Sequence, residues 1–141
     1  MIHFLIIVIL LTLAPQEQDL LGAFNELPQQ VREQATLIVT GTYNEGRTPC
    51  IFMADGTRRW TMESTIRITK VYRGEAGGKF IYLGWGPSLK TRDDQKLMRG
   101  QKYLLLLRPS EKSMKAIQAG EYMSVWDALE DEEILAIVEL K

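Results

Sequence analysis

The clearest pattern in the chain is a strict alternation of apolar and polar residues, which predicts a long strand with one buried and one solvent-exposed face. The strand begins at Arg58-Arg59-Trp60, and its apolar face carries Met62, Ser64, Ile66 and Ile68. The opposite face carries Thr61, Glu63, Thr65, Arg67 and Thr69. The alternation changes phase at Lys70-Val71-Tyr72, which predicts a β-bulge of the kind that bends strands in a barrel.

Further apolar runs predict the other strands. Leu37–Tyr43 is rich in β-branched residues and is bounded by Asn44-Glu45-Gly46, where the first strand is expected to end. Pro49–Met53 then leads into Ala54-Asp55-Gly56-Thr57 before the alternating strand. Asp-Gly between two strands is typical of a type I′ hairpin turn, which needs positive φ at both central residues. Three more strands are predicted at Lys79–Leu83, Gln101–Arg108 and Ile134–Leu140. The continuous apolar run of Gln101–Arg108 favours a central strand that is buried on both faces.

Helix is predicted mainly near the N-terminus. Residues 19–27 have helical spacing, with one face formed by Leu20, Leu21, Phe24 and Leu27. Residues 28–34 favour a second helical segment with Pro28 at its first position. Residues 109–127 are expected to be irregular, with Tyr122 and Trp126 as packing anchors, and residues 128–133 to form a short helical turn. Five to six strands with little helix predict a small closed or partly open antiparallel barrel, OB-fold-like, with a β-sandwich as the alternative.

An uncharged apolar run at residues 4–14 precedes the first charged residue, Glu17. As a helix it is about 16 Å long, too short for a hydrocarbon core of roughly 30 Å, and it suits the core of a secretory signal peptide. Thr12-Leu13-Ala14 resembles a cleavage site, so we expect export to the periplasm or the medium, with the mature chain starting near Pro15 or Gln16. An uncleaved membrane anchor and a buried N-terminal strand are the alternatives. The predicted organisation is therefore a leader at 1–14, a helical segment at 15–34 and a barrel at 35–141.

Composition narrows the chemistry. Of the 141 residues, 45% are hydrophobic and 25% are charged, which is typical of a globular domain. His3 and Cys50 are the only residues of their kinds, so a processed chain lacks His and cannot form an intramolecular disulfide. Histidine-based triads and His-ligated zinc are then excluded. Cys50 is expected to be a small buried apolar residue.

Enzyme motifs are missing from the sequence. There is no Gly-x-Ser-x-Gly nucleophile motif, phosphate-binding loop or dinucleotide fingerprint. Carboxylate pairs for catalysis remain conceivable at Asp93-Asp94 or between Glu63 and Asp55. The acidic run Glu130–Glu133 is expected to fill the first turn of a short helix, where acids suit the macrodipole, rather than to bind a metal. We expect no enzyme activity, cofactor or metal.

Charge is unevenly spread, with a basic middle between acidic ends. Residues 15–46 hold one basic and five acidic side chains, residues 47–115 hold 15 and six, and residues 116–141 hold one and seven. The basic middle predicts either a surface for an anion or a barrel covered by the acidic terminal segments. Aromatic and basic residues on its strands are the candidate ligand-binding set, a stacking platform for single strands or sugars: Arg58, Arg59, Trp60, Lys70, Tyr72, Tyr82 and Trp85. Arg73 and Lys79 are additional sources of positive charge, and residues 85–94 are a candidate recognition loop.

Three segments of the sequence resemble a known family. Ala35–Gly41, the strand end Ile68–Gly74, and Gly100–Leu105 are similar to exported bacterial domains related to tissue-inhibitor-of-metalloproteinases and netrin-like modules. The resemblance covers roughly residues 35–108 and implies an OB-fold and export. The animal inhibitors chelate the protease zinc with an N-terminal Cys and are held by several disulfides. This chain has neither feature, so no inhibitory residue is carried over.

The expected function is that of an exported, non-enzymatic small β-barrel that binds a protein or cell-envelope component. The alternative is an oligonucleotide- or polyanion-binding OB domain that uses the basic strand face. Nucleic acid is an improbable partner for an exported chain, and contact with a membrane is expected only through residues 4–14 if the leader is retained.

Overall fold

The computed structural model describes residues 15–52, 58–85, 89–119 and 128–141. In chain order these form helices α1 (Pro15–Glu26) and α2 (Gln29–Gln34), strands β1 (Leu37–Phe52), β2 (Arg58–Arg73), β3 (Phe80–Trp85) and β4 (Lys102–Leu107), helix α3 (Glu111–Ala119), a 3₁₀ helix (Asp131–Glu133) and strand β5 (Ile134–Glu139). The leader expected at residues 4–14 lies outside the described residues, as do the turn at 54–57 and the anchors Tyr122 and Trp126.

The five strands form one antiparallel sheet in the order β3-β2-β1-β4-β5, curled into a half-barrel. Among the described residues β3 and β5 are not paired with each other, so the barrel is partly open. This confirms the predicted OB-like class and does not favour the sandwich, which needs two packed sheets. Each open edge is met by a neighbouring segment, since Leu129 N donates to Tyr82 O on β3 and Arg92 N donates to Ile137 O on β5.

The β1–β2 hairpin dominates the sheet. We expected a break at Asn44-Glu45-Gly46, which is wrong: β1 runs through it, because these residues pair in register with Thr65, Ser64 and Glu63. The phase change on β2 is confirmed. Thr40 and Gly41 face Lys70 and Ile68, and Ile38 and Val39 face Arg73 and Val71, so Thr69 and Tyr72 are extra residues on β2. The two bulges increase the local bend of the strand.

The inner face of the half-barrel holds the main core. Leu37, Val39, Ile66, Ile81, Tyr103, Leu105 and Leu107 lie there, each fully buried. Ser64 shares the apolar face of β2 because its hydroxyl lies 2.9 Å from the hydroxyl of Tyr43, another inner-face residue. Burial raises the pKa of Tyr103, whose hydroxyl oxygen accepts a hydrogen bond from Met98 N at 2.8 Å.

The outer face of β1, β4 and β5 is covered by α1 and α2, which explains the apolar run of β4. Leu104 and Leu106 point into this outer cluster with Ile38, Leu27 and Val138. Burial on both faces of β4 was predicted and is confirmed. Pro28 caps α2 rather than occupying its first position, with φ −54° and ψ 139°.

Residues 109–127 are not irregular throughout, because α3 occupies Glu111–Ala119. Ser110 begins it, with its hydroxyl accepting a hydrogen bond from Ser113 N at 3.2 Å. Ile117 anchors the helix in the inner core and is 1% exposed. Of the helical turn expected over 128–133, the structure has the 3₁₀ helix Asp131–Glu133.

Candidate functional site

Lys70 and Tyr72 form the part of the predicted binding set that the structure brings together. Both lie exposed at the bulged end of β2, where Tyr72 is 44% exposed. The Lys70 ammonium nitrogen lies 5.1 Å from the centroid of the Tyr72 ring, a cation–π contact. The bulge places this aromatic ring and its cation at the surface rather than in the core.

Tyr82 does not belong to a binding surface. It is 3% exposed and packs in the inner core with its β3 neighbours Ile81 and Leu83. Its proposed stacking role is therefore wrong, because a buried ring presents no face to a ligand. β3 is an edge strand of the sheet. The alternation between buried and exposed residues is lost there, because the consecutive residues Ile81, Tyr82 and Leu83 are all buried.

The remaining members of the predicted set lie at the other end of β2. Arg58, Arg59 and Trp60 pair in register with Phe52, Ile51 and Pro49, and Trp85 pairs with Glu63. Their backbones are described, whereas their side chains lie outside the described part, as do those of Cys50, Asp55 and Glu63. Trp60 is about 33 Å along the strand from Lys70, at roughly 3.3 Å per residue. Within the described side chains, Lys70 and Tyr72 are the members of the set that lie together at the surface.

The carboxylates of the candidate recognition loop are held in surface ion pairs. Asp94 lies 3.2 Å from Lys90 and Asp93 lies 3.5 Å from Arg92. Asp94 also adopts the left-handed conformation, with φ 60°. The side chains of both Asp residues are largely exposed, at 72% and 82%. The pair is thus engaged with neighbouring cations instead of converging on a common site.

A groove runs between α1 and β2 and includes the Lys70–Tyr72 pair. Its volume is about 430 Å³, within the roughly 300–1,000 Å³ typical of ligand sites. Helix α1 supplies Leu20, Leu21 and Phe24, the floor is formed by Ile38 and Leu104, and the rim by Glu17, Lys70, Tyr72 and Arg73. We call this the α1–β2 groove.

The helical wall of the α1–β2 groove escaped the sequence prediction. The sequence predicted one apolar face for α1, and Leu27 of this face is buried in the outer cluster. Leu21 of the same face is 40% exposed and lines the groove. Two adjacent leucines make the apolar stripe wider than one packed face requires, which is the available signal in the sequence.

Cations gather along the β2 side of the groove. Arg73 Nη1 donates to the carbonyl oxygens of Arg32 and Ala35, at 2.6 and 2.9 Å, and so ties β2 to the end of α2. The Arg32 guanidinium lies 5.7 Å from the Phe24 ring centroid, and its Nε has no hydrogen-bond partner in the described part of the chain. Within residues 15–52, 58–85, 89–119 and 128–141, no ion pair joins Lys70, Arg32 or Arg73 to a carboxylate.

A second cleft of about 490 Å³ adjoins the groove and has mixed charge. Glu17, Leu20, Lys70 and Tyr72 line both, and Asp19, Lys102 and Lys141 also line the cleft. The Lys141 backbone N donates to Asp19 Oδ2 at 2.8 Å. Arg92 similarly meets Glu26 of α1 at 3.3 Å. One acidic residue of α1, Glu26, is therefore paired with a cation of the basic middle, Arg92.

The buried carboxylate of Glu133 has a structural role. Its oxygens accept hydrogen bonds from Ser110 N at 2.6 Å and Glu130 N at 2.8 Å, completing a capping box. Burial raises the pKa of Glu133, but the hydrogen bonds from Ser110, Glu130 and Ser113 outweigh it, so the pKa is lowered overall. No group of three metal-ligating side chains occurs among the described residues.

Comparison of the chain with protein-family models, curated proteins and solved structures finds no match. Over the residues that the structure describes, every helix is too short or too polar to cross a membrane.

Proposed function

We propose that this chain is an exported, non-enzymatic OB-like binding module that takes a protein partner in the α1–β2 groove. The observation that supports it is the exposed Tyr72 ring, with its Lys70 contact, above an apolar floor. Large aromatic side chains that are exposed beside an apolar groove are typical anchors of protein interfaces. The groove is formed by a helix and strands, which position side chains for recognition more precisely than loops do.

A polyanion is the weaker candidate. The basic middle of the chain would suit it, yet Glu17 and Asp19 lie in the same cleft as Lys70 and Lys102. Acidic side chains among the cations oppose a ligand of uniform negative charge. A non-enzymatic role is favoured because Glu133, the one buried carboxylate of the described residues, is engaged in the capping box.

The test is site-specific photo-crosslinking in the native host. We would replace Tyr72 with p-benzoyl-phenylalanine, irradiate cells and analyse the products by mass, with the same replacement at Met98 as control. Met98 is 64% exposed and does not line the groove. A discrete protein adduct from position 72, weakened by Lys70→Glu but not by Lys79→Glu, is expected. Equal or absent adducts from the two positions would contradict the proposal.

A further inference from the structure

We infer that the α1–β2 groove binds an acidic amphipathic peptide segment of its partner, an inference that rests on the proposed function. Its basis is the combination of an apolar floor with a row of cations along one rim. Ile38 and Leu104 close the floor, and each is almost fully buried, at 4% and 1% exposed. Apolar side chains of the peptide occupy the trough.

The apolar surface that remains open to such a segment comes from both walls. Leu21 on α1 and Tyr72 on β2 are the most exposed apolar side chains of the groove, at 40% and 44%. Both side chains line the groove, one from the helix and one from the sheet, so a row of apolar side chains would contact both. A helical peptide binds such a groove through apolar anchor residues at positions i, i+3, i+4 and i+7.

The positive charges at the groove determine which charged residues a bound peptide should carry. Lys70 and Arg73 line the groove on the β2 side, and Arg32 does not line it but lies against the ring of the lining residue Phe24. No carboxylate of the described residues forms an ion pair with any of the three cations. A partner that carries carboxylates along the flank facing β2 supplies the missing counter-charge. Within the described residues Arg73 donates to backbone carbonyls through Nη1, so its other guanidinium N–H groups are the ones that a partner carboxylate meets.

The opposite rim argues against an anionic membrane as the occupant. Glu17 lines the groove on the α1 side and Asp19 lies in the adjoining cleft. A flat anionic surface would meet these acids together with the cations. A peptide can place its carboxylates on the β2 side alone, so the one-sided charge of the groove suits a segment with acids on one flank.

The test is selection from a display library of random peptides on the full chain. Sequences enriched on the native protein over the Tyr72→Ala variant are expected to be acidic, with apolar residues at helical spacing. A synthetic peptide of the enriched pattern should lose roughly tenfold or more in affinity with Tyr72→Ala or Lys70→Glu, as for an interface anchor. The controls Met98→Ala and Lys79→Glu lie outside the groove and should bind as the native protein does.

Several results would overturn the inference. Enriched peptides that are basic or uncharged, no enrichment over Tyr72→Ala, or equal losses in the control variants each contradict it. Flotation with phosphatidylglycerol vesicles that depends on Lys70 would assign the groove to a membrane. Self-association abolished by Tyr72→Ala would assign it to a second copy of the chain. A protein adduct at position 72 combined with basic selected peptides would leave the proposed function standing and refute only the peptide chemistry.

Discussion

The Glu133 carboxylate accepts a hydrogen bond of 2.6 Å from the backbone N of Ser110, across 23 positions of sequence. Through this contact the start of α3 is joined to the start of β5, because Glu133 also closes the capping box with Glu130. Glu133 is 6% exposed. Hydrogen bonds to a charged acceptor contribute roughly 1.5–3 kcal/mol each when buried.

Glu133→Gln is expected to destabilise the fold by about 1–3 kcal/mol, because Ser110 N and Glu130 N donate to different oxygens of the carboxylate, and the amide keeps one oxygen and places an NH2 group against the other donor. The measurement is urea unfolding at pH 7. Asp131→Asn, at an exposed residue of the same 3₁₀ helix, is the control and should leave the midpoint nearly unchanged. Equal effects of the two substitutions on the midpoint would show that the hydrogen bonds of Glu133 do not stabilise the fold as expected.

The same carboxylate predicts a pH dependence. Its pKa in the folded protein is lowered, since hydrogen bonds from Ser110, Glu130 and Ser113 outweigh the cost of burial. The stabilising contribution is therefore complete above the unfolded-state pKa of about 4.3 and is lost as the pH falls through the lower folded value. Unfolding free energies measured between neutral and strongly acidic pH should fall less steeply for Glu133→Gln than for the native chain. A parallel decline would contradict this assignment.

Two glycines should respond oppositely to substitution by alanine. A Cβ at Gly41 on β1 would clash with the Ile66 side chain and would lie 2.6 Å from Arg67 O. Gly41→Ala should therefore lower the thermal midpoint strongly. Gly22 on α1 has nothing within 4 Å of such a Cβ, so Gly22→Ala should stabilise by about 0.5–1 kcal/mol through helix propensity. Similar midpoints for the two variants would refute this account of the β1–β2 approach.

Binding of an oligonucleotide should be weak. We expect a fluorescent oligothymidine to bind the native chain poorly, and Lys70→Glu to change its affinity little, because Glu17 and Asp19 share the cleft with Lys70. Tight binding that weakens steeply with salt and is lost on Lys70→Glu would instead establish the polyanion role. Fluorescence anisotropy over a salt series is the measurement.

Export predicts a specific mature chain. The protein recovered from fractionated host cells should be periplasmic or secreted and should begin near Pro15 or Gln16, without histidine. Its intact mass checks this. A full-length species in the membrane fraction would indicate a retained anchor, and a full-length cytoplasmic species would contradict export.

Sequence periodicity predicted the strands well wherever one face of the sheet is buried. The alternation on β2 and the phase change at Lys70-Val71-Tyr72 both correspond to structural features. It failed at Asn44-Glu45-Gly46, because pairing with β2 overrides local turn preference. It also missed α3, whose polar composition conceals the single deeply buried apolar anchor Ile117.

The candidate site was less accessible to sequence reasoning. Lys70 and Tyr72 were predicted to bind ligand, but Leu21, which lines the same groove, lies about fifty residues away on α1 and was predicted only as part of the apolar face of a helix. Whether a helix fully covers its apolar neighbours depends on its position over the sheet. The periodicity of the sequence carries no information about that position. Tyr82 fails for the same reason, because its burial at the sheet edge follows from packing against more distant elements.

The open edges of the half-barrel have a consequence for association between copies. A closed barrel has no edges to template another strand. Here the carbonyls of Tyr82 and Ile137 are each satisfied by one backbone donor, from Leu129 and Arg92. Among the described residues, one backbone hydrogen bond of this kind covers each open edge. Conditions that break either bond would leave a strand edge able to pair with a second copy of the chain.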